Sequence, residues 1–587
     1  MSRMVGIDLG TTNSLVAWLN QARPEIIPNR NGQRLTPSVV GLDRAGHIHV
    51  GETARAQLTT HPESTVSEAK RLMGTSARIP LGSREYSPTE ISAFILRQLK
   101  EDAERFFGER VNEAVVTVPA YFTDAQRQAT RDAGELAGLK VERLLNEPTA
   151  AALAYGIDHL DAEKHVVVYD LGGGTFDVSV LEMFAGVLEV KASSGNARLG
   201  GADFDRLLMQ ELAARIEREY GLRALDDAHA TARLKAAAEL AKIALSSVSS
   251  TNVSLPFWGM VGGQPVSIAM EINRDRFEGL IDGLVRSTLE PVTAALRDAN
   301  LAPAAVTDVV LVGGSSRVPL VQRKVAEFFG RPARHGVNPD EAIALGAAIQ
   351  AGLKAGQVSA ARGIMISDVS PFTLGVEISK RAFDELQNGH FSPIIPRNST
   401  VPVSRTEVYS TTGHAQAEVE IRVFQGDAPL TRDNVFLDAY SVQGIPPGPA
   451  GSEKIAITFT YDVNGILHVK TKVLSTGKEA KLVVDKNKLR LSPEERERAR
   501  ERVERDWSPV VHPAEPTPPT PPPTASAGSG DDRERLISAA VAHLAAAPEA
   551  QRAMLRQLIE VLQLSAPGTT EAARADAALT DLLFELA

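Results

Sequence analysis

Val5-Gly6-Ile7-Asp8-Leu9-Gly10-Thr11-Thr12 lies near the start of the chain, and Val168-Tyr169-Asp170-Leu171-Gly172-Gly173-Gly174-Thr175 repeats its form. In each, a short apolar run ends in Asp. Gly and Thr follow, then a second apolar run, Leu15 to Leu19 in one copy and Phe176 to Leu181 in the other. Each copy reads as strand–turn–strand, and its double use points to two related halves. Glycine lets a backbone approach a phosphate closely, and the N–H groups of a tight turn point at its oxygens. Threonine adds a hydroxyl donor. An Asp at the strand end suits hydrated Mg2+, which takes one or two carboxylates, waters and phosphate oxygens. One such turn alone is an ordinary hairpin. Two facing copies could clamp a triphosphate from both sides.

The surroundings agree with this reading. Val115-Val116-Thr117-Val118 and Val166-Val167-Val168-Tyr169 read as buried strands, with an Ala-rich helical stretch from Asp124 to Leu139 between them. That is α/β order, and it holds to about residue 355. Val309-Val310-Leu311-Val312-Gly313-Gly314-Ser315-Ser316-Arg317 is a strand running into two glycines and an arginine that can stack on a base. Alone it is an ordinary strand–loop–helix junction. Neither GxxxxGK[ST] nor a helix-opening GxGxxG occurs, which argues against a P-loop or a Rossmann site.

From Pro371 to Val484 the pattern changes to period two. Val419, Ile421 and Val423 alternate with Glu418, Glu420 and Arg422, and Ile455, Ile457, Phe459 and Tyr461 with Ala456, Thr458 and Thr460. Asn464-Gly465 between two such runs is a hairpin signal. This region predicts an antiparallel β domain with one buried face. Leu491 to Trp507 reads as a charged helix, capped by Ser492, with Pro493 in its first turn and Glu495 completing a capping box. Pro513 to Gly530 is a Pro-rich, then Gly/Ser-rich spacer. Beyond Arg533, helical spacing at Leu536, Ala540 and Leu544 and at Leu555, Leu558 and Leu562 is broken by Pro548 and Pro567-Gly568.

The 587 residues, 43% hydrophobic and 23% charged, suit several globular folding units. A net charge of −10 argues against nucleic acid or anionic membrane as partner. With no cysteine, disulfides, thiolate metal sites and Cys nucleophiles are excluded. Asp8 and Gly10 interrupt any signal-like run, no 18-residue apolar stretch occurs, and Phe584-Glu585-Leu586-Ala587 is no retention signal. The expected compartment is the cytoplasm.

Ile7–Ser14, Val118–Thr130, Asn146–Gly156, Tyr169–Asp177, Leu199–Asp205 and Leu311–Arg317 together resemble the 70-kDa heat-shock chaperones of the DnaK type. Asn338-Pro339-Asp340-Glu341-Ala342 and Gly346-Ala347-Ala348 match as well, so the resemblance covers about residues 4–490. Within the family the chain is most similar to the HscC subgroup. The short stretch after Gly74 and the run from Phe391 to Val403 carry that likeness.

The resemblance implies an actin-like (ribonuclease-H-like, duplicated) ATPase domain over 1–355, an interdomain linker over 356–370 and a β-sandwich peptide-binding domain over 371–487. A charged helix over 488–511 would be a reduced lid, followed by a spacer over 512–532 and a helical tail over 533–587. By residue, Gly10, Thr11, Thr12 and Asn13 with Gly172, Gly173, Gly174 and Thr175 would line the phosphates. Asp8 and Asp170 would hold hydrated Mg2+. Lys70 would stand near the γ-phosphate, and Glu147, Asp177 and Thr175, with Asp170, would orient water. Gly200, Gly201, Glu239, Lys242, Ser246, Gly314, Ser315, Arg317 and Asp340 would complete the nucleotide site. Val376, Ile378, Val419 and Ile421 would line a peptide cleft, though alternation alone says only that they face a core. Pro119, Arg127, Arg143 and Asp368 would couple the domains or meet a J-domain co-chaperone. The implied ligands are ATP or ADP, Mg2+ and K+. The implied partners are extended hydrophobic segments of unfolded proteins and a J-domain protein, with a nucleotide exchange factor left open.

Several positions depart from the family pattern. Ile364-Met365-Ile366-Ser367 stands where the linker carries leucines, and Ala202 replaces an acid. Ser379 and Thr412 occupy positions that bridge over bound peptide. The lid is short, which predicts fast client release. Competing readings are an actin-like small-molecule kinase, a filament-forming actin-like protein and a non-catalytic ATP-binding regulator. The β domain argues against the first two. Lys70, Glu147, Asp170 and Thr175 argue against the third.

Overall fold

The computed structural model describes residues 3–507 apart from 44, 157–162, 185, 262, 335–337, 358–364, 383–384 and 484–492, together with 556 and 559. Ser492, the spacer and nearly all of the helical tail therefore lie outside the described residues.

Two sheets built to one plan organise the first part of the chain. In the first, the strand Met4–Asp8 turns back antiparallel onto Asn13–Asn20 and takes Glu113–Val118 as its parallel neighbour on the other side. In the second, Lys164–Leu171 turns back onto Phe176–Phe184 and takes Asp308–Val312 as its parallel neighbour. Further strands extend each sheet: Lys140–Asn146 and Arg23–Ile27 in the first, Val187–Asn196 in the second. Every residue of Met4–Asp8 is buried, as are the last six of Lys164–Leu171. This is why both read as unbroken apolar runs.

The helices Glu147–Gly156 and Ala342–Lys354 join the two sheets. Their apolar residues share one core with Met4 and Val115 of the first sheet and Val166, Val168 and Val310 of the second. They touch at Gly346, where a Cβ would stand 1.7 Å from the Ala150 carbonyl oxygen. Only glycine permits that approach. The two Asp-bearing strand ends are thus held toward a common cleft.

Beyond residue 370 come two four-stranded antiparallel sheets. One contains Leu374–Ala382, Glu385–Ile395, Glu418–Gln425 and Val435–Gln443, the other Val403–Ser410, Lys454–Tyr461, Leu467–Val473 and Glu479–Val483. They share a single core that includes Val376, Ile421, Ile455, Ile457 and Phe459. The period-two stretch behaves as its pattern dictates: Ile455, Ile457, Phe459 and Tyr461 are buried and the residues between them are half-buried.

Residues 1–508 form one compact unit. Two of its features were not legible in the sequence. Within the stretch read as a linker, Met365–Val369 is a strand that adds parallel to Val187–Asn196, and Thr400–Val401 pairs with it in turn. The exposed edge of Val187–Asn196 offers the backbone partners, and burial of Val369 and Asp368 fixes the register. Second, the charged helix Pro493–Asp506 packs on the first half. Ala499, Val503 and Trp507, four residues apart, join the core around Phe94. The Trp507 indole stacks on Phe94 and donates to Glu101 Oε1 at 2.6 Å. Arg502 pairs with Glu90 at 2.6 Å, and Tyr86 donates to Asp506 at 2.9 Å.

Candidate active site

The two glycine turns meet face to face. A Cβ on Gly173 would stand 2.0 Å from Thr12 Oγ1, and one on Gly174 would stand 2.8 Å from Thr11 Oγ1. The second turn closes through Gly172 N–H to the Thr175 carbonyl at 3.1 Å. The first is braced by Ser38, whose hydroxyl donates to the Gly10 carbonyl at 2.8 Å. The Gly200-Gly201 turn packs behind the second: Gly201 N–H donates to the Gly172 carbonyl at 2.9 Å and Ala202 N–H to the Gly173 carbonyl at 2.8 Å. A Cβ on Gly200 would fall 2.5 Å from Gly173 C.

Below the turns lies a buried charge cluster. Asp8, Lys70, Glu147, Asp170, Thr175 and Asp177 are each at most 7% exposed. Lys70 Nζ donates to Glu147 Oε1 at 2.5 Å. Thr117, fully buried on the neighbouring strand, donates its hydroxyl to Asp8 Oδ1 at 3.0 Å. Tyr121 N–H donates to Asp177 Oδ1 at 3.1 Å. Burial, then the Glu147 charge, pushes Asp8 up to about 7 and Asp177 up to about 7. Burial together with Glu147, Asp177 and Asp8 raises Asp170 well above the carboxylate range. Four carboxyls around one lysine is an excess of buried negative charge. A divalent cation would relieve it, and one or two carboxylates sharing the ion with water suit Mg2+.

On the second half, Lys242 Nζ reaches Asp205 at 2.8 Å and the Gly201 carbonyl at 3.5 Å, and Ser315 Oγ donates to the Gly172 carbonyl at 2.9 Å. Gly201, Lys242 and Ser315 are thus brought together. Ser246 sits one turn on and donates to the Lys242 carbonyl at 3.3 Å. Arg317 pairs with Asp340 at 2.7 Å beside Gly314, and Glu239 faces Arg55 of the first half at 3.6 Å.

The family described as Hsp70 protein matches residues 4–81 and 76–509. The Chaperone protein DnaK of Thermotoga neapolitana is 50% identical over 484 residues, covering 82% of this chain and 80% of that protein. That of Thermosipho africanus is 49% identical over 483 residues, covering 82% and 79%. The chain belongs to the Hsp70 family. Membership makes it an ATP-dependent chaperone and an ATPase.

Other residues singled out in this Hsp70 lie where the β domain meets the ATPase halves. Asp368 is buried and accepts from Thr149 Oγ1 at 2.9 Å and from Val369 N–H at 2.8 Å. Arg127 is 2% exposed. It donates to Asn146 Oδ1 at 2.7 Å, to the Ala120 carbonyl at 2.9 Å and to the Asn464 carbonyl at 3.5 Å. Pro119 ends the strand Glu113–Val118, and its carbonyl accepts from Phe122 N–H at 3.2 Å. Arg143 donates to Gln350 Oε1 at 2.9 Å and, with Gln350, Lys354, Ile366 and Val463, lines an open cavity of about 430 Å³.

In the β domain of this Hsp70, Val376, Ile378, Val419 and Ile421 share one core. Val376 and Ile421 are buried in it, and Ile378 and Val419 are only partly covered. The two positions associated with bridging over peptide are engaged locally. Ser379 Oγ donates to Asn388 Oδ1 at 2.7 Å, and Thr412 N–H donates to Gln416 Oε1 at 3.0 Å.

Sequence reasoning missed four residues of this architecture. Thr117 was counted only as part of a strand. Asn464, read as a hairpin signal, reaches the ATPase side: its Oδ1 accepts from Leu144 N–H at 3.1 Å. Asp124 Oδ1 accepts from Leu467 N–H at 3.0 Å. Arg71, beside Lys70, crosses to Asp203 of the second half at 2.9 Å. Of these, the charges of Arg71 and Asp124 were the visible signals.

Proposed function

We propose that ATP hydrolysis in the cleft between the two glycine turns controls the affinity of the β domain for extended hydrophobic segments of unfolded proteins. The observation that carries this reading is the facing pair of turns above a buried cluster of four carboxyls and Lys70. In the proposed mechanism, the turns Gly10 to Asn13 and Gly172 to Thr175 line the phosphates, held by those backbone N–H groups that are not bonded within the turns. Asp8 and Asp170 would hold hydrated Mg2+, which would supply positive charge against the phosphates, with K+ assisting. Lys70 leans on the γ-phosphate, and Glu147, Asp177 and the Thr175 hydroxyl orient the attacking water. Catalysis is then positioning plus charge neutralisation, with no covalent step on the protein. Glu239, Lys242, Ser246, Gly314, Ser315, Arg317 and Asp340 hold the adenosine, with Gly200 and Gly201 behind the phosphates.

The finer architecture belongs to the same proposal. It is an actin-like duplicated domain over 1–355, a linker over 356–370, a β-sandwich client domain over 371–487 and a reduced lid over 488–511, with the spacer and tail beyond. Val376, Ile378, Val419 and Ile421 line the client cleft, where backbone bonds give affinity and an apolar pocket gives selection. Pro119, Arg127, Arg143 and Asp368 carry the coupling. Contacts of Arg127 and Asp368 at the junction support this, and Arg143 would meet a J-domain co-chaperone. An HscC-like subgroup and a cytoplasmic location complete the reading. Among the described residues, no helix is long and apolar enough to cross a membrane.

The test is fluorescence anisotropy of a labelled, Leu-centred unfolded peptide. It should bind at least about tenfold more tightly in ADP than in ATP, a coupling of about 1.4 kcal/mol. Its dissociation in ADP should be faster than from a relative with a full lid. Equal affinity in both nucleotides would reject the coupling.

A further inference from the structure

The short turn Ala69–Leu72, which carries Lys70, begins at Glu68, whose backbone lies in the left-handed region at φ 59°. A glutamate seldom adopts this conformation, and such strain persists only where surroundings over-determine it. Here the surroundings are ionic and come from both halves of the ATPase. Glu68 Oε1 pairs with Lys235 Nζ on the helix Ala228–Leu245 of the second half. Glu68 Oε2 faces Arg71 Nη1 at 3.5 Å. Arg71 Nη2 in turn crosses the cleft to Asp203 Oδ2 at 2.9 Å and to the Arg198 carbonyl at 3.1 Å. Asp203 accepts from Gly200 N–H at 2.9 Å, and Gly200 packs against Gly173. An unbroken series of contacts therefore runs from the second half, through the residues on either side of Lys70, to the back of the second glycine turn.

We propose that Glu68, Arg71, Lys235 and Asp203 form a clasp that positions Lys70, so that hydrolysis proceeds only while the two halves are closed on each other. Glu68 and Arg71 are positioning residues. They act on the phosphate through Lys70, whose placement on the γ-phosphate is part of the function proposed above. When the halves part, the Lys235 and Asp203 pairs break together with the other contacts across the cleft, such as that of Arg55 with Glu239. Glu68 then loses the partner that holds its strained backbone, and the turn carrying Lys70 is released. The clasp differs from a simple exit latch, which would slow nucleotide departure and leave the chemical step untouched.

The experiment uses the full chain with Mg2+ and ATP and reads two rates separately: single-turnover hydrolysis of pre-bound ATP, and release of a fluorescent nucleotide. Glu68→Gln, which also loosens Arg71, and Lys235→Met should each slow single-turnover hydrolysis about five- to tenfold, and the double variant no further than Glu68→Gln, since both break the Glu68–Lys235 pair. Added salt should slow wild-type hydrolysis and leave Glu68→Gln unaffected, because Lys235 is solvent-exposed and its pair is screened. Wild-type single-turnover rates in both variants, with faster nucleotide release, would reduce the clasp to a latch and overturn the proposal. Lys70→Ala is the control: wild-type hydrolysis in that variant would remove the assigned role of Lys70 and the clasp with it.

Discussion

At the first glycine turn, Asp8 accepts a hydrogen bond from the Thr117 hydroxyl and lies close to Lys70; at the second, Asp170 faces Glu147, Asp177 and Asp8. The two segments match in form, strand for strand and glycine for glycine. Their charge environments do not match. Asp8 is pushed up to about 7 by burial and the Glu147 charge, against the pull of Lys70 and the Thr117 hydroxyl, whereas Asp170 is driven well above the carboxylate range by burial and three acidic neighbours, with Lys70 opposing them. Duplication built the cradle, and the surrounding residues then assigned different duties to its halves. The first half holds an oriented carboxylate and a cation. The second holds a carboxyl whose charge is tolerable only beside an added positive charge.

The sharpest way to break this comparison is to remove the cation. Lys70→Met leaves four buried carboxyls around an uncharged side chain. Single-turnover ATP hydrolysis should fall about 100-fold or more, while Mg-ADP binding measured by calorimetry persists. A rate within threefold of wild type would end the division of labour.

A smaller effect is expected from the hydroxyl that distinguishes Asp8. Thr117→Val removes the donor and keeps the shape. The Mg2+ concentration needed for tight nucleotide binding should rise about tenfold, and Thr117→Ser should restore it. If Val and Ser behave alike, Thr117 only fills space and the two aspartates are equivalent after all.

The smallest effect is on stability. Asp8 and Asp177 have folded-state values raised to about 7 from the usual 3.8. A carboxyl raised on folding keeps its proton where the unfolded chain has lost it. Its stabilising contribution is therefore complete below about pH 4 and is lost as pH rises through about 7. Without metal and nucleotide, the melting temperature should drop between pH 5 and pH 8. Mg-ADP, which binds the ionised cluster, should flatten that slope. A metal-free protein that gains stability over this range would contradict the charge assignment.

How much of this was readable from the chain depended on the range of each signal. Strand ends, glycine turns and the period-two β domain are local patterns, and the residues around 5–12, 168–175 and 455–461 declare them directly. Lys70 and Glu147 are 77 positions apart. Only the resemblance to a family joined them, because no local rule encodes a contact between distant turns. Trp507 was visible as the end of a charged helix, yet the stripe it forms with Ala499 and Val503 has only three members and no heptad to announce it. Asn464 showed its turn and hid its target. The strand Met365–Val369 was read as a connector because its pairing partner, Val187–Asn196, lies far back in the sequence.

The central claim is that the cleft and the β domain work as one machine. The direct test is steady-state ATP hydrolysis by the full chain with and without an excess of extended hydrophobic peptide. The account predicts a slow basal rate that rises several-fold with peptide. ATP hydrolysis that proceeds at the same rate whether or not peptide is bound would contradict it.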